Sequence, residues 1–169
     1  MRLDEIVRKD IRLVYGSLGE LLTRNGFDYK LSLVVGEGTY SRDFSIEQRA
    51  EIEFILNEYI VNARKAIYGT DEAPYRSSEA ERLKTIPCRI EVRLEEKEQG
   101  YILSVADNGD GIPPENQPKV FRNQFSTRGT KGMGLKCVLN IASYKLNGHV
   151  DFTSEVDKGS TFYLYLPKG

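Results

Sequence analysis

The sequence has few of the residues that build cross-linked or metal-stapled domains. It contains two cysteines, one histidine and no tryptophan. Cys88 and Cys137 do not form a Cys-x-x-Cys motif, and His149 cannot complete a zinc set with them. Both cysteines stand among apolar residues, so we expect buried, unreactive thiols and a reducing, cytoplasmic setting.

Charge and hydrophobicity also lack any extreme. The 169 residues include 24 basic and 25 acidic side chains, so no overall field favours a nucleic-acid partner or a membrane surface. The longest apolar runs, such as Leu33-Val34-Val35, are far too short to span a bilayer, and the N-terminus lacks the apolar segment of a signal peptide. A hydrophobic content of 40% suits one core.

The N-terminal segment has the period of an amphipathic helix. Residues 2–24 place an apolar stripe at Val7, Ile11, Val14, Leu18 and Leu21, and Asn25-Gly26 would end the helix. The stripe is close to a heptad seam, so it packs either on the chain's own sheet or on a partner or dimer mate. We therefore divide the chain into a helical element that serves as linker or dimerisation segment, residues 1–26, and a domain, residues 27–169.

The remaining periodicities predict one α+β domain. Alternating apolar residues predict strands at 29–35, 89–94, 101–106, 150–153 and 161–166. A capping box at Ser45-Ile46-Glu47-Gln48 begins a long helix to about Tyr68, and a second amphipathic helix runs from Leu135 to Leu146. Residues 69–87 are polar and predict a loop. This order indicates a two-layer sandwich with a mixed, mostly antiparallel sheet and helices on one face.

Two glycine-bearing segments carry the strongest indication of function. An apolar run ends at Asp107, and Gly109 and Gly111 follow; Gly132 and Gly134 later open the second predicted helix. Alternating glycines let a backbone approach a ligand closely, and a glycine-rich turn at a helix start presents N–H groups to anions. A carboxylate followed by an anion cradle suits a ligand with a hydrogen-bond donor at one end and phosphates at the other. ATP is such a ligand.

A third element lies upstream on the long predicted helix. Glu58, Asn62 and Lys65 stand at i, i+4 and i+7, so their side chains project from one face. A carboxylate, an amide and an ammonium in line could position a water, hold a metal ion and contact a phosphate. The alternative is an exposed polar stripe opposite the apolar face.

The motifs together, in this order, resemble the ATP-binding domain of the sensor histidine kinases. They are Glu58–Lys65, Asp107-x-Gly109-x-Gly111, Gly132-x-Gly134-Leu135 and Gly159-Ser160-Thr161-Phe162. That domain belongs to the ATPase superfamily, with the Bergerat fold, that includes type II topoisomerases, heat-shock chaperones and mismatch-repair ATPases. The resemblance covers roughly residues 27–167.

The resemblance implies a role for each of these positions at the base and the metal. Asp107 would accept a hydrogen bond from the adenine amino group, and Gly109 and Gly111 would let the loop pass close to the base. Thr161 would reach the adenine side. Asn62 would coordinate Mg²⁺ through its amide oxygen, in keeping with the preference of this ion for oxygen ligands.

At the phosphates the resemblance implies two catalytic side chains. Glu58 would polarise the attacking nucleophile, and Lys65 would lie near the phosphates. Gly132, Gly134 and Leu135 would shape the phosphate end of an ATP lid that runs from residue 113 to 131. Phe121 and Phe125 would anchor that lid. Three cations are candidates for meeting the triphosphate, the alternative being solvated surface charge: Arg122, Arg128 and Lys131.

Some features depart from the family pattern. Ala66 stands where the kinases often carry an aromatic residue, so an adenine-side contact is either missing or supplied by Tyr68. The loop 69–87 is long and the lid is short. No histidine lies on a predicted helix, and His149, at the start of a strand, is not expected to be a phosphoacceptor.

The resemblance therefore implies a Mg-ATP-binding catalytic domain of a two-component histidine kinase. It would transfer the γ-phosphoryl group to a histidine on a separate helical dimerisation domain, which then serves a response regulator. The alternative is a non-kinase regulatory module of the same superfamily that binds a protein partner. The presence of Glu58 favours a catalytic domain, because a module that only binds a nucleotide does not need this carboxylate.

Overall fold

The computed structural model describes residues 1–16, 21–24, 27–68, 88–122 and 134–169, with the backbone alone for 21–24, 27–29 and 68. It contains three α-helices and six β-strands within these ranges, together with a 3-10 turn at Gln117–Lys119. In chain order they are α1 (Leu3–Tyr15), β1 (Leu21–Arg24), β2 (Phe27–Val35), α2 (Ile46–Tyr68), β3 (Arg89–Glu96), β4 (Gly100–Asp107), α3 (Gly134–Tyr144), β5 (His149–Glu155) and β6 (Gly159–Pro167).

The strands form one mixed sheet in the order β1-β2-β3-β4-β6-β5. Only β2 and β3 run parallel, and the other neighbouring pairs are antiparallel. Helix α2 packs against β3, β4 and β6, α3 packs against β5 and α2, and α1 packs against α2. The predicted two-layer α+β sandwich with a mostly antiparallel sheet is confirmed.

The core lies between α2 and the sheet. The predicted apolar face of α2 is at most 2% exposed, at Ile52, Ile55, Leu56, Tyr59, Ile60, Ala63 and Ile67. On β3, Ile90, Val92 and Leu94 are buried while the residues between them are more exposed, because side chains alternate along a strand. The opposite side of α2 therefore remains available for polar residues.

The predicted capping box fixes where α2 begins. The Gln48 N–H donates to Ser45 Oγ at 3.2 Å, and the Ser45 N–H donates to Gln48 Oε1 at 3.1 Å. This reciprocal pair satisfies two backbone donors that the first helical turn would otherwise leave without partners. A fixed start sets the rotation of the whole helix, and with it the face that Glu58 and Asn62 occupy.

The predicted helix over residues 2–24 was wrong beyond Tyr15. Helix α1 ends there, Gly16 follows with φ of 76°, and Leu21–Arg24 pairs with β2 as an edge strand. Asn-Gly between two runs is a strong hairpin signal, and we interpreted it as a helix end. Leu18 and Asn25-Gly26 lie outside the described residues. The boundary at residue 26 falls inside this strand pair, so α1 and β1 belong to the same packed unit.

Helix α1 packs on the chain's own core, which was one of the two alternatives. Leu3, Ile6, Val7 and Ile11 are fully buried there. A polar contact also joins α1 to α2. Asn57 Nδ2 donates to Asp10 Oδ2 at 2.9 Å, and the Tyr15 hydroxyl donates to Asn57 Oδ1 at 2.8 Å.

The side chain of Asp10 is buried at this contact between α1 and α2, which disfavours its charged form. Burial raises its pKa from 3.8 to about 6; the hydrogen bond from Asn57 opposes this shift, and the nearby Glu53 carboxylate adds to it. A raised native pKa means that the folded chain binds the proton more tightly than the unfolded chain. The resulting stabilisation is present below about pH 4 and is lost as the pH rises through about 6.

The expected burial of the cysteine thiols was wrong. Cys137 is exposed and Cys88 is half-buried. Helix α3 buries Val138 and Ala142, and the neighbouring position 137 lies about 100° around the helix from 138. Among the described residues, no helix is both long and apolar enough to cross a membrane.

Candidate functional site

The site begins at Asp107, the last residue of β4. Its carboxylate is buried, at 8% exposure, and Oδ1 accepts the Gly109 N–H at 2.8 Å. The sheet register places Asp107 between Ile90 of β3 and Ser160 of β6, with its side chain on the same side as the buried Val105. The sheet and the following turn therefore both fix the direction of this carboxylate.

Three hydrogen bonds hold the loop that follows β4. The Asp110 N–H donates to the Ala66 carbonyl at 3.1 Å, and the Asp157 N–H donates to the Asp110 carbonyl at 2.7 Å. The Ile112 N–H donates to Ser154 Oγ at 2.7 Å. The first bond ties the loop to α2, so Asp107 and the polar face of α2 are brought into one region.

Gly109 and Gly111 are required by the chain's own backbone. A Cβ at position 109 would lie 2.5 Å from the carbonyl oxygen of Ala66. Gly111 adopts φ of 73°, and a Cβ there would meet the backbone of Glu155. Ala66, which we noted as a departure from the family pattern, supplies the carbonyl that receives the loop. A role of the two glycines towards the base stays a prediction.

The three predicted residues of α2 lie on one half-buried polar face. Glu58, Asn62 and Lys65 are each of intermediate exposure, and none forms a hydrogen bond or ion pair with another part of the described chain. The Glu58 carboxylate also lies against Gly134, the first residue of α3, where a Cβ would meet its Oε2 and lie 3.3 Å from its Cδ. The structure therefore brings Glu58 next to the end of the second glycine segment.

An open cavity of about 320 Å³ lies beside Asp107 at the edge of the sheet. Asp107 and Thr161, both predicted adenine contacts, line it together with Thr153, Ser154, Glu155, Lys158, Gly159 and Ser160. A cavity of this size lies at the lower end of the range seen for small-molecule sites.

Ser160 is a lining residue to which the sequence analysis gave no role. It is 5% exposed and pairs directly with Asp107, whereas Thr161 pairs with Ala106. Strand alternation therefore puts Ser160 on the side of Asp107, and Thr161 on the other face. Ser154 Oγ lies 2.8 Å from Ser160 Oγ across the hairpin. The equal spacing of these two serines from the turn at 155–159 was a usable signal.

Phe121, a predicted lid anchor, packs on the core, while an anchoring role towards the lid stays a prediction. Its ring lies edge-on, 5.9 Å from Phe152 and 6.2 Å from Phe162, on the core side of the sheet. Leu135 is half-buried and packs on the core, and Arg122 is exposed. The other residues predicted for the lid and its phosphate end lie outside the described residues: Phe125, Arg128, Lys131 and Gly132. The loop 69–87 and the Tyr68 side chain lie outside them as well.

His149 lies apart from this region in the sheet. It is exposed at the start of β5, and its ring stacks on Tyr165 with 4.4 Å between centroids and 7° between planes. Its register partner is also Tyr165. The ring is thus a cross-strand packing partner on an edge strand.

The sequence of this chain is similar to those of known proteins. The model of the family described as histidine kinase-, DNA gyrase B- and HSP90-like ATPases matches residues 47–169. A probable C4-dicarboxylate sensor kinase of Halalkalibacterium halodurans is 36% identical over 80 residues, covering 47% of this chain. Sensor protein SrrB of Staphylococcus aureus is 37% identical over 87 residues, also 47% of this chain. The chain spans about 15% of the length of these relatives.

A solved structure has the same fold. Full-length ShkA in complex with AMPPNP superposes with a TM-score of 0.67 and 19% identity, over 99% of this chain and 30% of that one. Identity at this level shows the fold alone. The sandwich built by α2, α3 and the sheet is therefore also present in the ShkA structure.

Proposed function

Because this chain belongs to the family of histidine kinase-, DNA gyrase B- and HSP90-like ATPases, we propose that it is the ATP-binding catalytic domain of a sensor histidine kinase. Membership of an ATPase family implies nucleotide use. One observation carries the proposal: the Ala66–Asp110 hydrogen bond joins the Asp107 loop to the polar face of α2. The two matched relatives, both named as sensors, support the choice of a kinase.

Asp107 is the adenine-recognising residue in this proposal. Its carboxylate can only accept hydrogen bonds when ionised, so it selects a base with an amino group over one with a carbonyl group. The bond from Gly109 to Oδ1 keeps the group oriented towards the ligand. Ser160, on the side of Asp107, supplies a hydroxyl to the base or to a bridging water, while Thr161 lines the cavity from the other face of β6.

The polar face of α2 fits a magnesium-bound triphosphate. Asn62 offers an amide oxygen and Glu58 a carboxylate oxygen, the hard donors that Mg²⁺ prefers, and described groups of the chain do not compete for them. We assign the metal to Asn62. When bound, Mg²⁺ would neutralise charge on the phosphate oxygens. We further assign Lys65, Arg128, Lys131 and Gly132 to the triphosphate, with Gly134 beside Glu58 at the end of the same glycine segment.

Glu58 performs the proton chemistry in this proposal. It orients the incoming histidine and polarises its ring, while Lys65 holds the phosphate against the polar face. Phosphoryl transfer needs little more than positioning and charge neutralisation, so a rigid helix that carries both side chains supplies most of what the reaction requires. The half-buried setting of both residues strengthens these electrostatic contacts.

The partners follow from what the chain contains. His149 is a strand residue stacked on Tyr165, so the acceptor histidine would come from a separate helical dimerisation domain, and a response regulator would receive the phosphoryl group next. We place the domain in the cytoplasm, where ATP is available. A dimer through the N-terminal helix stays a prediction; Leu13, at 73% exposure, is the apolar residue that α1 leaves on its surface.

The decisive experiment is a transfer assay with two components. This chain, γ-labelled ATP and Mg²⁺ are incubated with a histidine-bearing helical domain from the same organism. We expect acid-labile label on the helical domain, and little of it when the chain carries Glu58→Gln. A chain that binds ATP yet transfers nothing to any such domain would instead be the regulatory module.

A further inference from the structure

The glycine at position 134 leaves space for a neighbouring side chain. Within the described ranges, positive φ values among glycines occur at positions 16, 111, 159 and 169, so the backbone at 134 does not demand one. Instead, a Cβ at 134 would meet Glu58 Oε2 and lie 3.3 Å from Glu58 Cδ. No other described group comes within 4 Å of that Cβ position. The missing side chain leaves a niche, and the niche holds one carboxylate.

We propose that Gly134 is a positioning residue for Glu58, an inference that rests on the proposed function of Glu58. No hydrogen bond from a described residue fixes the direction of this carboxylate, and its Oε2 occupies the space that a side chain at 134 would take. The niche also lies at the first residue of α3, where the helix dipole favours a negative charge. Shape and electrostatics thus point the carboxylate the same way.

Two different reasons could explain the glycine at the end of the Gly132-x-Gly134 segment, and they predict different results. If the glycine only lets the nucleotide approach, a side chain at 134 would weaken binding whatever residue stands at 58. If it positions Glu58, the effect of a side chain at 134 depends on Glu58. Because the carboxylate is the far end of a long side chain, it can rotate away from an added methyl group at little cost to the fold. Alanine also stabilises helices relative to glycine.

The test compares Gly134→Ala with Asn140→Ala, an exposed control on the same helix. The side-chain carboxyl ¹³C signal of Glu58 is recorded in the nucleotide-free chain and assigned by its absence from Glu58→Gln. We expect the signal to move in Gly134→Ala and to stay in Asn140→Ala, with the thermal midpoint unchanged or raised. An unmoved signal in Gly134→Ala would overturn the proposal.

A second arm uses nucleotide affinity. AMPPNP and Mg²⁺ are titrated into Gly134→Ala, Glu58→Ala and the double variant. Because Glu58 is assigned to transfer and not to binding, we expect Gly134→Ala to leave AMPPNP affinity nearly unchanged with or without Glu58; an equal loss of affinity in both backgrounds would show that the glycine serves the nucleotide directly and would overturn the inference. A wild-type chain that fails to bind AMPPNP would contradict the proposed function, while the carboxyl measurement on the free chain would still stand.

Discussion

Asp107→Asn isolates the proposed recognition of adenine because it changes one functional group and little else. Asparagine has nearly the same shape as aspartate, and its Oδ1 can still accept the Gly109 N–H that Asp107 accepts at 2.8 Å. The other position of the side chain, however, becomes an NH₂ group. In the proposed complex this NH₂ would face the amino group of adenine, so that two donors meet in a buried site.

The size of the effect follows from that mismatch. A buried donor left without an acceptor costs on the order of 1–3 kcal/mol. This corresponds to a loss of affinity of roughly 5- to 150-fold, which would take weak nucleotide binding below detection. The fold should persist because the Gly109 hydrogen bond and the sheet register are unchanged, so we expect a normal thermal midpoint.

Calorimetry with AMPPNP and with GMPPNP measures both affinity and base preference. An NH₂ group can donate to the carbonyl of guanine. Asp107→Asn should therefore lower the affinity for AMPPNP and reduce the difference in affinity between AMPPNP and GMPPNP. Asp151→Asn is the matched control, since Asp151 is exposed on the edge strand β5. Unchanged AMPPNP affinity in Asp107→Asn would remove Asp107 from the adenine site, and an equal loss in the control would indicate a general charge effect.

Four further predictions follow from the assigned roles. Asn62→Ala should remove the dependence of ATP affinity on Mg²⁺, checked by titration with and without the metal. Glu58→Gln should lower phosphoryl transfer with little effect on binding; comparable losses in both would make its role structural or metal-binding. The isolated chain should not phosphorylate itself on histidine, and acid-labile label lost in His149→Ala would contradict this. Asp10→Asn should raise the free energy of unfolding near pH 8 by roughly 1–2 kcal/mol, because a pKa raised from 3.8 to about 6 sets an upper limit near 3 kcal/mol before solvent screening. The same change should flatten the fall in stability between about pH 4 and 6, measured by denaturant titration at each pH.

Periodicity and capping predicted most of the fold because these features act locally. The capping box at Ser45 fixed the start of α2, and alternation identified the strands β3 and β4. The prediction for the N-terminal segment was wrong beyond Tyr15 because the outcome there depends on a non-local contact. The apolar period continues across Gly16 into Leu21, and a helix and a strand both accept leucine, so only the pairing of β1 with β2 decides the outcome.

The candidate site was predicted as far as its parts are local. Spacing placed Glu58 and Asn62 on one face, and the glycines marked the Asp107 loop. Contacts between distant segments could not be predicted in this way: the Ala66 carbonyl that binds the loop, and the position of Ser160 beside Asp107. Cys137 shows the same limit, since its exposure depends on which face α3 turns to the sheet.

Calorimetric titration of this chain with AMPPNP, with and without Mg²⁺, tests the central claim most directly. The account predicts one site per chain, with affinity that falls when Mg²⁺ is withheld, because the polar face of α2 holds the triphosphate through the metal. No heat of binding under either condition would contradict the assignment of Asp107 and α2 to a nucleotide. Binding of equal strength with and without Mg²⁺ would remove Asn62 from the site as proposed.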